Sequence, residues 1–332
     1  MQQQHIFPQK LSRGDEIQVI SPSRSMSIIS SSVRSIAINR LTELGLKVSF
    51  STHCEETDRF HSSSIQSRLE DLHAAFANPN IKAILTTIGG YNSIQLLNGI
   101  DYKLIQKNPK ILCGYSDITT LQNAIFAKTG LITFSGPHFS TFGCLKGNEY
   151  TIEYFQKCLF SNQPFEINSS DTWSDDEWYI DQDKRSFLPN LGFKVIQPGI
   201  AEGMIIGGNM DSLTVLQGTD YMPSLHNSII FLEDNYPMTA EVFDRHLHSL
   251  TLQKDFQSVK GMVIGRFQKE SNISMDALTN IVQSKKELRS IPVIAGVDFG
   301  HTMPLLTFSI GGSFQLEASS SAIKLCLSSS VC

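Results

Sequence analysis

Three residue types in this chain could together carry out acyl transfer. They are Ser116 in Gly114-Tyr-Ser-Asp117, a carboxylate at Glu233 or Asp234, and His301 in Gly300-His-Thr302. A serine hydroxyl becomes a useful nucleophile when an imidazole takes its proton, and a carboxylate can fix and stabilise that imidazole. Each candidate follows an apolar run, Ile111 to Cys113, Ile229 to Leu232 and Ile291 to Val297, so each is expected at a strand end. After the serine, Ile118, Leu121 and Ile125 recur at helical spacing. A serine on such a strand-to-helix turn projects its hydroxyl above the sheet, toward the free N–H groups of the helix. The usual signature is Gly-x-Ser-x-Gly, and Ile118 stands where its last glycine would be. Glu233 and Asp234 point to opposite sides of a strand end, so only one can face the histidine. The pattern leaves that choice open.

Two further features sit near these positions. His138 follows Gly136-Pro137 and is an additional candidate, whereas His246 and His248 fall on the solvated face of an amphipathic helix. Gly89-Gly90 ends the apolar run Ile81 to Ile88. Paired glycines can simply permit a tight turn. They can also bring backbone N–H groups close to a substrate oxygen, forming an oxyanion hole with the Asp117 N–H. No Gly-x-Gly-x-x-Gly is present, which argues against a dinucleotide site.

The elements that must position these residues are α/β. Residues 1–160 alternate strands with helices, the pattern of a parallel sheet covered on both faces, with ligands beyond the carboxyl ends of its strands. Residues 161–195 lack periodicity and hold both tryptophans, Trp173 and Trp178, among acids. Such a loop could present a ring for stacking or for a cation, or the rings could pin the loop down. Residues 196–332 return to strands and helices and finish in alternating strands, predicting a smaller mixed or barrel-like sheet.

Composition narrows the partners. The 332 residues carry a net charge of −5 with no lysine or arginine run, which argues against nucleic acid. Six cysteines show no Cys-x-x-Cys or metal spacing, as expected of reduced thiols in a cytoplasmic protein without a metal. No apolar stretch reaches the roughly 18 residues of a membrane span, and the N-terminus lacks a signal-peptide pattern.

Together, Gly114-Tyr-Ser116-Asp-Ile-Thr, Gly207-Gly-Asn209, Phe231-Leu-Glu233-Asp and Gly300-His301-Thr resemble the LD-carboxypeptidase family of serine peptidases over nearly the whole chain. The segment around Trp173 and Trp178, with Asp181-Gln-Asp-Lys-Arg185 and Gly218 to Pro223, is most similar to the microcin C immunity branch. The resemblance implies a flavodoxin-like N-terminal domain carrying Ser116 and a smaller C-terminal domain carrying Glu233 and His301. It implies Ser116 as nucleophile, His301 as base, Glu233 as its orienter, and Gly90 and Asp117 N–H groups as the oxyanion hole. Asn209 and either Trp173 or Trp178 are implied to bind substrate, the tryptophan by stacking on a nucleobase. It further implies a homodimer, no metal or other cofactor, and a small peptide or peptidyl-nucleotide substrate. A murein tetrapeptide losing its terminal D-alanine is the alternative.

Overall fold

A computed structural model describes residues 5–319 and 322–328. Its first sheet has the strand order Lys47–Phe50, Glu16–Ile20, Ile81–Thr86, Ile111–Gly114, Thr133–Ser135 and Phe308–Ile310. The first five strands are parallel and run 2-1-3-4-5 in chain order, the flavodoxin-like arrangement. Helices Ser31–Glu43, Ile65–Ala77 and Ile118–Thr129 supply the crossovers, their apolar stripes buried against the sheet. The sequence order reverses between Glu16–Ile20 and Ile81–Thr86, which opens a crevice beyond their carboxyl ends. Gly89-Gly90 lies beside that crevice, and Ser116 follows the next strand.

The second sheet has the order Phe165–Glu166, Ile323–Ser328, Ser313–Ala318, Gly199–Asn209, Ser228–Glu233, Gly261–Gly265, Val293–Val297 and Lys194–Gln197. Its middle four strands are parallel and the flanking ones antiparallel. The sheet is open and mixed; its two end strands do not pair to close a barrel. Asn209 and Glu233 sit side by side at the carboxyl end of the parallel block, and His301 follows the strand Val293–Val297.

The helix Ile118–Thr129 joins the two sheets. Thr119, Thr120, Gln122 and Asn123 are all 0 % exposed, so this helix is buried on its polar positions as well as on its apolar stripe. Thr120 Oγ1 donates to the Ser212 carbonyl (2.9 Å), Asn123 Nδ2 to the Gly207 carbonyl (2.9 Å), and Asn209 N–H to Thr119 Oγ1 (3.0 Å). Buried polar groups must find partners. Gln122 donates to the Gly114 and Phe134 carbonyls of the first sheet, whereas Thr119, Thr120 and Asn123 bond the strand Gly199–Asn209 and the short helix Met210–Thr214 that follows it. The nucleophile's helix is therefore held in register with the strands that end in Asn209 and Glu233.

Segment 161–195 is more ordered than its composition suggests. Phe165–Glu166 pairs with the strand Ile323–Ser328, and Thr172–Trp173 pairs with Leu188–Pro189. Ser174 exchanges both backbone hydrogen bonds with Met303, two residues beyond His301 (2.8 and 2.7 Å). Arg185 bonds Asp176 through Nε (2.6 Å) and the Lys146 carbonyl through Nη1 (2.7 Å), tying the loop to the first half of the chain. Among the described residues, no helix is long and apolar enough to cross a membrane.

Candidate active site

Ser116 sits between the strand Ile111–Gly114 and its helix at a φ of +60°, a left-handed conformation that non-glycine residues rarely adopt. Such local strain is held in place by surrounding structure, and it lifts the hydroxyl out of the turn. The Ser116 Oγ lies 3.0 Å from His301 Nε2, and His301 Nδ1 lies 2.8 Å from Glu233 Oε2. Serine, imidazole and carboxylate thus form one hydrogen-bonded series drawn from both sheets.

The alternation between Glu233 and Asp234 resolves in geometry. Glu233 is 3 % exposed and turns to His301, while Asp234 turns away and accepts from Asn209 Nδ2 (3.1 Å) and the N–H groups of Asp211 (2.9 Å) and Asn235 (2.8 Å). Burial and the adjacent Glu233 charge push the Asp234 carboxyl up to about 7. Burial also disfavours a charged His301, but the Glu233 charge, the Glu233 hydrogen bond and the Asp234 charge outweigh it, raising its pKa above 6.5. Gly300 adopts a φ of +109°, and a Cβ there would come within 2.5 Å of Glu233 Oε2, so the turn before His301 needs a glycine.

The N–H groups of Gly90 and Asp117 donate to no acceptor among the described residues. Ser23 Oγ (2.5 Å) and the Ser93 N–H (2.9 Å) hold the Asp117 carboxylate, and Ser93 Oγ donates to the Asp117 carbonyl (2.8 Å). The turn after Ser116 is thereby fixed to the loop that follows Gly90.

Ser116 and His301 open on a cleft of about 760 Å3 that Gly89, Gly90 and Trp178 also line. Trp178 packs against Cys144, Met303 and Leu305. Trp173 lies elsewhere, its ring under the Arg266 guanidinium (4.9 Å) and the Lys269 ammonium (5.5 Å). Asn209 is 5 % exposed and off the cleft wall, its side chain occupied by Asp234 and by the Ser212 N–H (3.0 Å). Sequence reasoning missed three rim tyrosines, Tyr91, Tyr179 and Tyr236, each more than half exposed. Only Tyr91 carried a signal, its position directly after Gly89-Gly90. Tyr115, whose ring lies 5.3 Å from that of His301, was visible as part of the Gly-Tyr-Ser-Asp turn but not as a contact. Among the described residues, no cluster of His, Cys, Asp or Glu is arranged to hold a metal ion.

A flavodoxin-like domain and a mixed sheet that meet at a Ser–His–Glu series have the architecture of a serine-type hydrolase. Residues 17–136 match the LD-carboxypeptidase N-terminal domain and residues 202–316 its C-terminal domain. The chain belongs to the LD-carboxypeptidase family and is a hydrolase of the serine carboxypeptidase class. A crystal structure of an MccF-like protein from Bacillus anthracis str. Ames is 55 % identical, with a TM-score of 0.96 over 97 % of this chain and 99 % of that one. The microcin C7 self-immunity protein MccF of Escherichia coli is 32 % identical over 92 % of each chain. A structure of MccF in complex with aspartyl sulfamoyl adenosine superposes with a TM-score of 0.88 over 97 % of this chain and 98 % of that one, at 29 % identity. A Bacillus subtilis (strain 168) protein named for murein peptide carboxypeptidase activity is 30 % identical, covering 92 % of this chain and 89 % of its own.

Proposed function

We propose that this protein hydrolyses the amide-type bond of small peptidyl or aminoacyl nucleotides, with Ser116, His301 and Glu233 as its catalytic triad. The observation that carries this reading is the placement of Trp178 on the cleft wall shared by Ser116 and His301. An indole there offers a flat face to a nucleobase, and the complex of MccF with aspartyl sulfamoyl adenosine supports that substrate class. In the proposed mechanism His301 takes the Ser116 proton as Oγ attacks the carbonyl, and Glu233 stabilises the imidazolium. The Gly90 and Asp117 N–H groups receive the oxyanion, each worth about 3 kcal/mol in comparable sites. His301 then protonates the leaving nitrogen, and water releases the acyl group. Self-immunity or detoxification in the cytoplasm, by a homodimer, would be the biological setting.

Murein tetrapeptide cleavage is the second reading, favoured by the relative named for that activity. Mass spectrometry of aspartyl sulfamoyl adenosine and of an L,D-linked murein tetrapeptide, incubated with wild type and Ser116→Ala, separates the two. Serine-dependent release of aspartate supports the nucleotide reading. Release of D-alanine alone replaces it with the murein reading.

The tryptophans give a second expected result. Trp178→Ala should raise KM for the nucleotide substrate by about 10-fold or more, since base stacking on an aromatic is commonly worth 1–3 kcal/mol. Trp173→Ala, outside the cleft, should leave KM within about 2-fold. Steady-state kinetics on both variants check this, and equal effects would remove the stacking role from Trp178.

A further inference from the structure

The wall behind Ser116 carries a second imidazole that the proposed triad does not use. His138 is 1 % exposed and lines the cleft beside Gly89 and Ser116. Its ring packs on Tyr115 with centroids 4.3 Å apart. The Nδ1 atom lies 2.7 Å from Thr86 Oγ1, whose single hydrogen is donated to the Cys113 carbonyl at 3.3 Å. If the Thr86 hydrogen stays on that carbonyl, the short Thr86 contact is made by Nδ1–H and Nε2 is a bare lone pair, the tautomer on which the inference rests. Nε2 is buried and has no hydrogen-bond partner among the described residues.

Its position gives this orphan acceptor a use. A Cβ placed on Gly89 would lie 2.9 Å from Ser116 Oγ and 3.5 Å from His138 Nε2. Nε2 and the Ser116 hydroxyl thus flank the same glycine on the cleft wall. Burial, reinforced by the charge of His301 and opposed only by the Tyr115 carbonyl, lowers the His138 pKa to about 3. His138 is thus a neutral acceptor at working pH and does not compete with His301 for a proton. A scissile carbonyl carbon has three neighbours. Its oxygen faces the Gly90 and Asp117 N–H groups, and its leaving nitrogen faces His301. The third neighbour is the α-carbon.

We propose that His138 Nε2 accepts a hydrogen bond from the nitrogen on that α-carbon, making His138 the residue that selects α-amino acyl groups. The inference rests on the serine-hydrolase reading of the site and holds for either leaving group. An aminoacyl nucleotide presents an α-ammonium there and a peptide an α-amide N–H, and both are donors.

The test compares kcat/KM for matched substrates with and without the α-nitrogen. One pair is aspartyl sulfamoyl adenosine and 3-carboxypropanoyl sulfamoyl adenosine; the other is L-lysyl-D-alanine and 6-aminohexanoyl-D-alanine. Wild type should prefer the nitrogen-bearing member by about 10- to 100-fold, as expected when a buried acceptor is otherwise left unpaired. In His138→Phe, which keeps a flat ring against Tyr115, the ratio should fall to near one through loss on the nitrogen-bearing substrate alone. His138→Gln retains an acceptor and should recover part of the preference; it also serves if the Phe variant does not fold. An unchanged ratio in a folded variant overturns the proposal. Hydrolysis of neither pair by wild type counts against the substrate assignment above, and 15N NMR of His138 then decides this point by itself. Hydrogen on Nδ1 and no titration down to pH 5 is the expected result, whereas hydrogen on Nε2 or titration near 6.5 overturns it.

Discussion

Ser116→Ala is expected to reduce hydrolysis to background, a loss on the order of a million-fold in kcat by analogy with other serine triads, while the protein stays folded. The two parts have separate physical causes. Catalysis is lost because His301 has no nucleophile to activate, and the residual rate comes only from the oxyanion-hole donors and substrate binding. Folding survives because the Ser116 Oγ makes one hydrogen bond, to His301, and the turn is held by other contacts. Those are the Ser23 and Ser93 bonds to Asp117 and the Thr119 N–H to the Ser116 carbonyl (2.9 Å). Alanine does not relieve the +60° φ at this position, but glycine does. Ser116→Gly should therefore be equally inactive yet more stable than Ser116→Ala by about 1 kcal/mol. Thermal melts and initial rates on the two variants check both statements. Retention of Ser-independent turnover would sink the nucleophile assignment, and equal melting points would remove the strain argument.

The parts of this site legible in the sequence are those where local chemistry sets the conformation. An apolar run, a Gly-Tyr-Ser-Asp turn and a helical repeat specify an elbow without reference to the rest of the chain. Period-two alternation likewise stated that Glu233 and Asp234 must diverge, although not which one faces inward. That was decided largely by the Asn209 side chain and the Asp211 N–H, which capture Asp234 and are remote from it in sequence, together with the adjacent Asn235 N–H. The helix after Ser116 shows the same limit. Its Ile118, Leu121 and Ile125 stripe announced one buried face, but Thr119, Thr120 and Asn123 are buried too, against the second sheet. Polar residues read as solvated until a partner surface exists to bond them. Phe308–Ile310 is similar: three residues late in the chain pair with Thr133–Ser135 in the first sheet. Proximity in sequence would have left them in the second. Trp178 and Trp173, five residues apart in an aperiodic loop, were separated only by what each ring packs against.

Glu233→Gln tests the electrostatics on which the site depends. A neutral amide of nearly the same shape should lower kcat by about 10,000-fold, the scale seen when a triad carboxylate becomes an amide and the wrong imidazole tautomer results. Here the amide can donate to His301 Nδ1, which forces hydrogen onto Nε2, the atom facing Ser116 Oγ at 3.0 Å. The imidazole then cannot accept the serine proton. The pH profile adds an independent signature. As general base His301 must be neutral, so wild-type kcat/KM should fall as pH drops through a His301 pKa raised above 6.5. Burial already acts against that charge, and only Glu233 and Asp234 overcome it. Removing the Glu233 charge leaves burial dominant, so the acid limb of the variant's residual activity should move to lower pH. Asp234 remains in the variant, but its carboxyl, held up to about 7 partly by Glu233, should itself become more acidic. The wild-type limb should also be broader than a single titration, because protonating Asp234 weakens the next proton's hold on His301. Rate profiles from pH 5 to 9 on both proteins measure all of this. An acid limb that stays in place in Glu233→Gln would mean that Glu233 aligns His301 without setting its charge. A limb that moves down together with the large loss in kcat would assign both tasks to the same carboxylate.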